Sequence, residues 1–243
     1  MQAILGVIFH FLGGFASGSF YLPYKKVKGW AWESYWITGG LFSWLLIPFL
    51  AAWLTVPDFI GIIKHTDSSV LFYTYLMGLL WGIGGLTFGL AMRYLGMSLG
   101  MSVALGFCSA FGALVPSVYY NLFPAAGKIT FTDMLHSNSG LVVLLSVIVC
   151  LTGIVICGKA GMRKEKELSP DQQQEGVKEF NLSKGLIVAT VSGILSACFS
   201  FGIEAGKPMA EVARQAAEAT GSSTLFINNV VFVVILLGGM TTN

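Results

Sequence analysis

Few side chains in this sequence can do acid–base chemistry, and their placement narrows what that chemistry is. His10 is the one ionisable residue deep inside an apolar stretch, about 10 Å along a helix that begins with that stretch. An imidazole titrates near neutrality and suits reversible protonation; the plainer reading is a hydrogen-bonded structural histidine. Glu204 and Lys207 lie three residues apart at the end of another apolar stretch, a spacing that puts them on one helical face. They read either as an interfacial ion pair or as the border of a cavity. Ser17 shares a helix with His10, but no GxSG elbow or second polar partner accompanies them, so nucleophilic proteolysis is not indicated. No Walker motif occurs. Cys108, Cys150, Cys157 and Cys198 all sit in apolar runs without a CxxC pair and read as packing residues. The residues therefore indicate no enzyme, no metal centre and no cofactor.

The elements that must position these groups are membrane-spanning helices. Of 243 residues, 55% are hydrophobic and 11% charged, against roughly 25% charged in soluble domains. A span needs about 20 apolar residues to cross roughly 30 Å of hydrocarbon. Seven stretches free of Asp, Glu, Lys and Arg qualify: 3–22, 34–55, 70–92, 97–118, 139–158, 185–203 and 224–240. The alternating ten-residue strands of a barrel are absent, so the fold class expected is an all-α polytopic membrane bundle of about seven helices. A net charge of +2 gives no global basic field and points to no nucleic acid.

Charge in the loops sets orientation. Odd loops carry Lys25, Lys26, Lys28, Arg93, Lys159, Arg163, Lys164, Lys166, Lys178 and Lys184; even loops carry only Lys64, Lys128, Lys207 and Arg214. Odd loops are expected in the cytoplasm and the N-terminus outside. Trp30, Trp32, Trp36 and Trp53 flank spans, where amphipathic rings favour the interface. The fifth loop, within 159–184, is the one long polar segment and contains Gln172-Gln173-Gln174. It reads as a charged, flexible cytoplasmic linker between two parts.

Those parts are expected to be related, the alternative being chance similarity of glycine-rich helices. At an offset of 179, Gly6, Ile8, Gly14, Ser17, Phe20 and Lys28 face Gly185, Ile187, Gly193, Ser196, Phe199 and Lys207, six identities over positions 6–28. Five spans separate the copies, and an odd number inverts the second. Inverted repeats around a midplane site are the architecture of secondary transporters. The expected organisation is a first five-helix repeat at 1–158, the linker at 159–184, and the start of a second repeat at 185–243. A 5+5 arrangement has ten helices, so the sequence is expected to be truncated. Glycines recur one turn apart at Gly14/Gly18, Gly78/Gly82, Gly85/Gly89, Gly96/Gly100 and Gly202/Gly206, a spacing that lets helices approach closely. Gly82-Ile83-Gly84-Gly85 is the stretch expected to be locally irregular and to line a path. A dinucleotide-binding reading of it fails, since no strand precedes it.

Three segments carry a resemblance: 10–36, 81–100 and 179–209. Their most specific pieces are Tyr24-Lys25-Lys26-Val27-Lys28, Met92-Arg93-Tyr94-Leu95-Gly96-Met97-Ser98 and Lys207-Pro208-Met209. On these the chain resembles the bacterial L-rhamnose–proton symporter family of the drug/metabolite transporter superfamily. The resemblance implies ten helices in the inner membrane and uptake of a deoxy sugar driven by the proton gradient. A neutral sugar needs hydrogen-bond partners and an aromatic face. His10, Ser17, Ser19 and Tyr21 in the first span, with Trp81 and Thr87 in the third, are the substrate-binding candidates. His10 and Glu204 are the proton-coupling candidates. A drug/metabolite carrier with another small substrate, or a scaffold or sensor acting through the fifth loop, are the alternatives.

Overall fold

A computed structural model describes residues 2–20, 22–125, 127–167 and 181–243. Tyr21 and residues 168–180 of the expected linker lie outside the described residues. Among those described, all regular structure is helical, and the chain is a polytopic membrane bundle. Five helices are long and apolar enough to cross a membrane: Glu33–Thr55, Ser68–Gly96, Leu99–Leu122, Asn138–Gly161 and Leu182–Ala205. The other two expected spans are the shorter apolar helices Ile4–Ser19 and Thr224–Met240.

The chain divides into two compact units, Met1–Ser43 and Trp44–Asn243. In the first, α1 (Gln2–Ser19) leads to a 3-10 turn at Tyr24–Lys26 and to α2 (Trp32–Gly40). Tyr24 stacks on Tyr35 with centroids 5.3 Å apart. Gly39 admits the Tyr24 phenol, which a Cβ there would strike. A π-helical stretch at Leu41–Leu46 precedes α3 (Ile47–Thr55). Pro48 explains it: with no N–H to give the carbonyl four residues back, the ladder slips to wider spacing just before the proline.

The second unit continues with α4 (Phe59–His65), α5 (Ser68–Leu122), α6 (Phe131–His136) and α7 (Asn138–Glu167). After the linker come α8 (Leu182–Ser196), α9 (Cys198–Ala205), α10 (Lys207–Thr220) and α11 (Asn229–Met240). The α7 helix runs past its apolar stretch to Glu167, into the first residues of the expected linker. The long α5 is two limbs joined at Gly96, whose φ of 74° and ψ of 167° leave the helical region. That conformation is essentially open to glycine alone, so Gly96→Ala should cost roughly 1–3 kcal/mol. The check is thermal unfolding in detergent; an unchanged midpoint would show that the break is not held.

The expectation of irregular backbone at Gly82–Gly85 is corrected here. That stretch is regular helix, and Gly96 is where the backbone departs from helical φ/ψ inside α5. The reason is packing. Gly78 and Gly82 face the α11 backbone, Gly84 faces the α8 backbone at Leu195 and Ser196, and Gly85 faces Asn243. Gly202 of α9 and Gly206, which caps it, meet Ile235 and Val231 of the same α11. Enclosed by its neighbours, α11 buries Val230, Val231, Val233, Val234 and Ile235 and is apolar around its circumference. In turn α8 packs along both limbs of α5: Gly185 against Leu95, and Gly193 against Ala104, Phe107 and Cys108. Ser192 donates its hydroxyl to the Gly84 carbonyl at 2.8 Å, and the Asn181 N–H to Tyr94 at 3.1 Å.

Between α9 and α11 in the chain stands α10, a helix where the lack of a long apolar stretch predicts a loop. Its Met209, Ala210, Ala213 and Ala217 are buried on one face, the first three within the cluster of Val56, Phe59, Ile62 and Val230. Its other face is ionic: Arg214 donates from Nε to Glu211 at 3.0 Å and from Nη1 to Glu218 at 2.6 Å. That guanidinium holds the Glu211 carboxyl below the usual carboxylate range.

Candidate functional site

The second unit encloses a cleft of about 960 Å³ where the two ends of α5 approach α9. Tyr73 and Met77 come from the first limb of α5, and Pro116, Ser117, Tyr119 and Tyr120 from the end of the second. Pro116 cannot donate to the Gly112 carbonyl, which loosens the helix where it lines the cleft. On the opposite side α9 presents Ser200, Phe201 and Glu204. They reach it because the helix axis is interrupted at Ala197, where the Ser200 N–H bonds back only three residues, at 3.1 Å.

Charge is concentrated at Glu204. Its Oε2 pairs with Lys207 Nζ at 2.6 Å, and its Oε1 accepts from Lys128 Nζ, which arrives from the loop between α5 and α6. Both carboxylate oxygens are thus occupied by cations. The carboxylate in turn holds the Lys128 ammonium above the ordinary lysine range, chiefly through that hydrogen bond. Lys128 also lies over the Tyr120 ring, 5.6 Å from its centroid, where the negative face of the ring attracts it. Side-chain exposure is 32% for Lys128 and 39% for Glu204, so neither partner is sealed inside the protein. The loop that carries Lys128 is anchored just beyond it. Thr130 and Asp133 form a capping box on α6, and the Thr130 N–H, donating at 2.9 Å, holds the Asp133 carboxyl below its usual range.

Such a cleft has aromatic faces for an apolar ring surface, hydroxyls and phenols for hydrogen bonds, and one carboxylate able to accept a proton. It fits a neutral polyhydroxylated molecule. No group of three or more His, Cys, Asp or Glu able to hold a metal occurs among the described residues.

Of the residues singled out in the sequence, Glu204 lines this cleft, and the Glu204–Lys207 pair both forms and borders a cavity. Trp81 instead joins an aromatic cluster, 5.2 Å from Phe199 and 6.3 Å from Trp44. The Thr87 hydroxyl donates into its own helix, to Ile83 at 2.9 Å and Gly84 at 3.0 Å. His10 and Ser17 are exposed on α1 of the first unit, and Ser19 donates to the Phe15 carbonyl at 2.7 Å. Tyr21 lies outside the described residues. Sequence reasoning assigned Lys128 only to an even loop and gave no role to Tyr73, Tyr119 or Tyr120. A tyrosine pair closing an apolar stretch, with a lysine shortly after it, was the available signal. A smaller hollow of about 650 Å³ lies at the α3–α4 turn, bordered by Trp53, Asp58, Ser222 and Phe226.

The family model described as L-rhamnose-proton symport protein (RhaT) matches residues 1–243. The L-rhamnose-proton symporter of Pectobacterium atrosepticum is 39% identical over 240 residues, covering 99% of this chain and 65% of the relative. That of Yersinia pestis bv. Antiqua is 38% identical over the same shares. The chain therefore spans 65% of the length of the curated relatives it matches. No solved structure matches. The chain belongs to the L-rhamnose-proton symport protein family.

Proposed function

We propose that this protein imports L-rhamnose together with a proton across the bacterial inner membrane by alternating access. The observation that carries the reading is the family match along the whole chain, and the cleft supplies a mechanism. Its tyrosines offer stacking surfaces and hydroxyl partners to a neutral sugar, and Glu204 is the proton acceptor. His10 is retained as a second proton-handling candidate. Ser17, Ser19 and Tyr21, with Trp81 and Thr87, are further candidates for sugar contact. The excess of Lys and Arg in the odd loops supports an outer N-terminus and a cytoplasmic linker. The organisation proposed is a first repeat at 1–158, the linker at 159–184 and a second repeat from 185. Supporting it, α8 ends at Ser196, which is position 17 after subtracting the offset of 179, close to the end of α1 at Ser19.

Proton movement is the direct test. Adding L-rhamnose to weakly buffered vesicles containing the full-length protein should make the outside medium more alkaline, because each sugar that enters brings a proton with it. Sugar entry without any change of external pH would remove proton coupling from the proposal.

A further inference from the structure

The two things a sugar needs from this cleft are already taken. One face of Tyr120 is covered by the Lys128 ammonium, 5.6 Å from the ring centroid, and the same ammonium holds Oε1 of Glu204. We propose that Lys128 is the positioning residue that makes sugar binding wait for the proton. While Glu204 is ionised, Lys128 spans carboxylate and ring and excludes the sugar. When a proton from water binds Glu204 Oε1, the ion pair is lost, Lys128 withdraws still charged into solvent, and the ring face and a neutral carboxyl become available together. The inference rests on the reading of this cleft as the sugar and proton site.

The surroundings of Glu204 support a single competition between proton and lysine. Lys128 faces it from the α5–α6 loop and Lys207 from the start of α10. Tyr119 and Tyr120 line the cleft from the end of α5 and Tyr73 from near its start; α11 contributes no titratable side chain. Lys207 keeps one carboxylate oxygen paired when Lys128 is removed, so a substitution there does not orphan the charge. Being held in a loop rather than on a helix, Lys128 is the partner free to leave. Proton and sugar then help each other's binding by the same factor, as linkage requires.

The test is equilibrium binding of labelled L-rhamnose to the purified full-length protein from about pH 5.5 to about pH 8.5, a range that lies above the ordinary titration of a glutamate carboxyl. The unaltered protein should lose affinity by up to about tenfold per pH unit once Glu204 ionises, the slope of one linked proton. In Lys128→Gln that slope should vanish, with affinity constant to within about twofold, and Lys128→Arg should restore it because the cation returns. Lys128→Met, which keeps an apolar stem on Tyr120, serves if the Gln variant does not fold. In vesicles the Gln and Met variants should equilibrate the sugar but not accumulate it, whereas Lys128→Arg accumulates it, a split that a purely structural role for Lys128 does not produce. A Lys128→Gln protein with the unaltered slope overturns the proposal while leaving sugar transport intact. Absence of L-rhamnose binding to the unaltered protein at every pH overturns the transport reading itself, and the role of Lys128 with it.

Discussion

Glu204→Gln is expected to abolish accumulation of L-rhamnose against its gradient while leaving exchange of sugar across the membrane intact. Coupling one proton to each sugar lets a gradient of one pH unit support about tenfold accumulation, since a pH unit is worth about 1.4 kcal/mol. The amide keeps the shape of a protonated carboxyl but cannot release a proton, so the variant should reach an accumulation ratio of one. Both oxygens of the native carboxylate are engaged, one by Lys207 at 2.6 Å and the other by Lys128. The Gln carbonyl can accept from only one of them with comparable geometry, and Lys128, carried by a loop and not by a helix, should be the one released. The variant then binds sugar at all pH values. Accumulation by Glu204→Gln equal to that of the unaltered protein would move the proton site elsewhere, with His10 the next residue to substitute.

The largest structural effect is expected at Gly193→Val. A Cβ at Gly193 would lie 2.5 Å from Phe107 Cβ, 2.7 Å from the Ala104 carbonyl oxygen and 2.9 Å from the Cys108 nitrogen. Two of those three are backbone atoms, which cannot rotate away, so the helices themselves must separate. Overpacking of this kind costs about 3 kcal/mol or more, a large part of a total stability of roughly 5–15 kcal/mol. The cleft would suffer as well, because α9, which carries Glu204, continues directly from α8. Gly153→Val on α7 is the comparison: nothing lies within 4 Å of its added Cβ, and the change should stay within about 0.5 kcal/mol. Apparent melting temperatures in detergent separate the two, and equal shifts for both variants would refute the packing argument.

These two positions illustrate what could be read from the sequence. Gly193 was visible as a repeat position, and the close approach of helices at Gly78, Gly82, Gly202 and Gly206 follows from their spacing. Which glycine breaks a helix was not visible. Gly82–Gly85 and Gly96 look alike in a list, because close packing and a positive φ both require the same missing side chain. Only the presence of α11 and α8 against the first group separates them. The α10 helix escaped notice because the reading weighed apolar length, whereas α10 keeps its buried face with Met209, Ala213 and Ala217 at helical spacing amid charged residues. The last apolar helix keeps its expected bounds, 224–240, but the shortness of the first was hidden, since hydropathy reports composition and not where a helix stops.

The site divides in the same way. Glu204 and Lys207 lie three apart, a local relation that helical periodicity exposes. Lys128 is 76 residues away from Glu204, and nothing in either segment announces the other. Tyr73 and Tyr120, near the two ends of α5, line one cleft, with the helix broken between them at Gly96. Long-range pairing is set by the fold, and residues such as Lys128 then read as ordinary loop charges.

Proton-driven accumulation of L-rhamnose is the measurement that bears most directly on the central claim. Vesicles containing the full-length protein, given an inside-alkaline gradient of about one pH unit, should concentrate labelled L-rhamnose about tenfold and lose that excess when the gradient is collapsed. Uptake that stops at equal concentrations inside and outside, or that is indifferent to the gradient, would contradict proton-coupled symport.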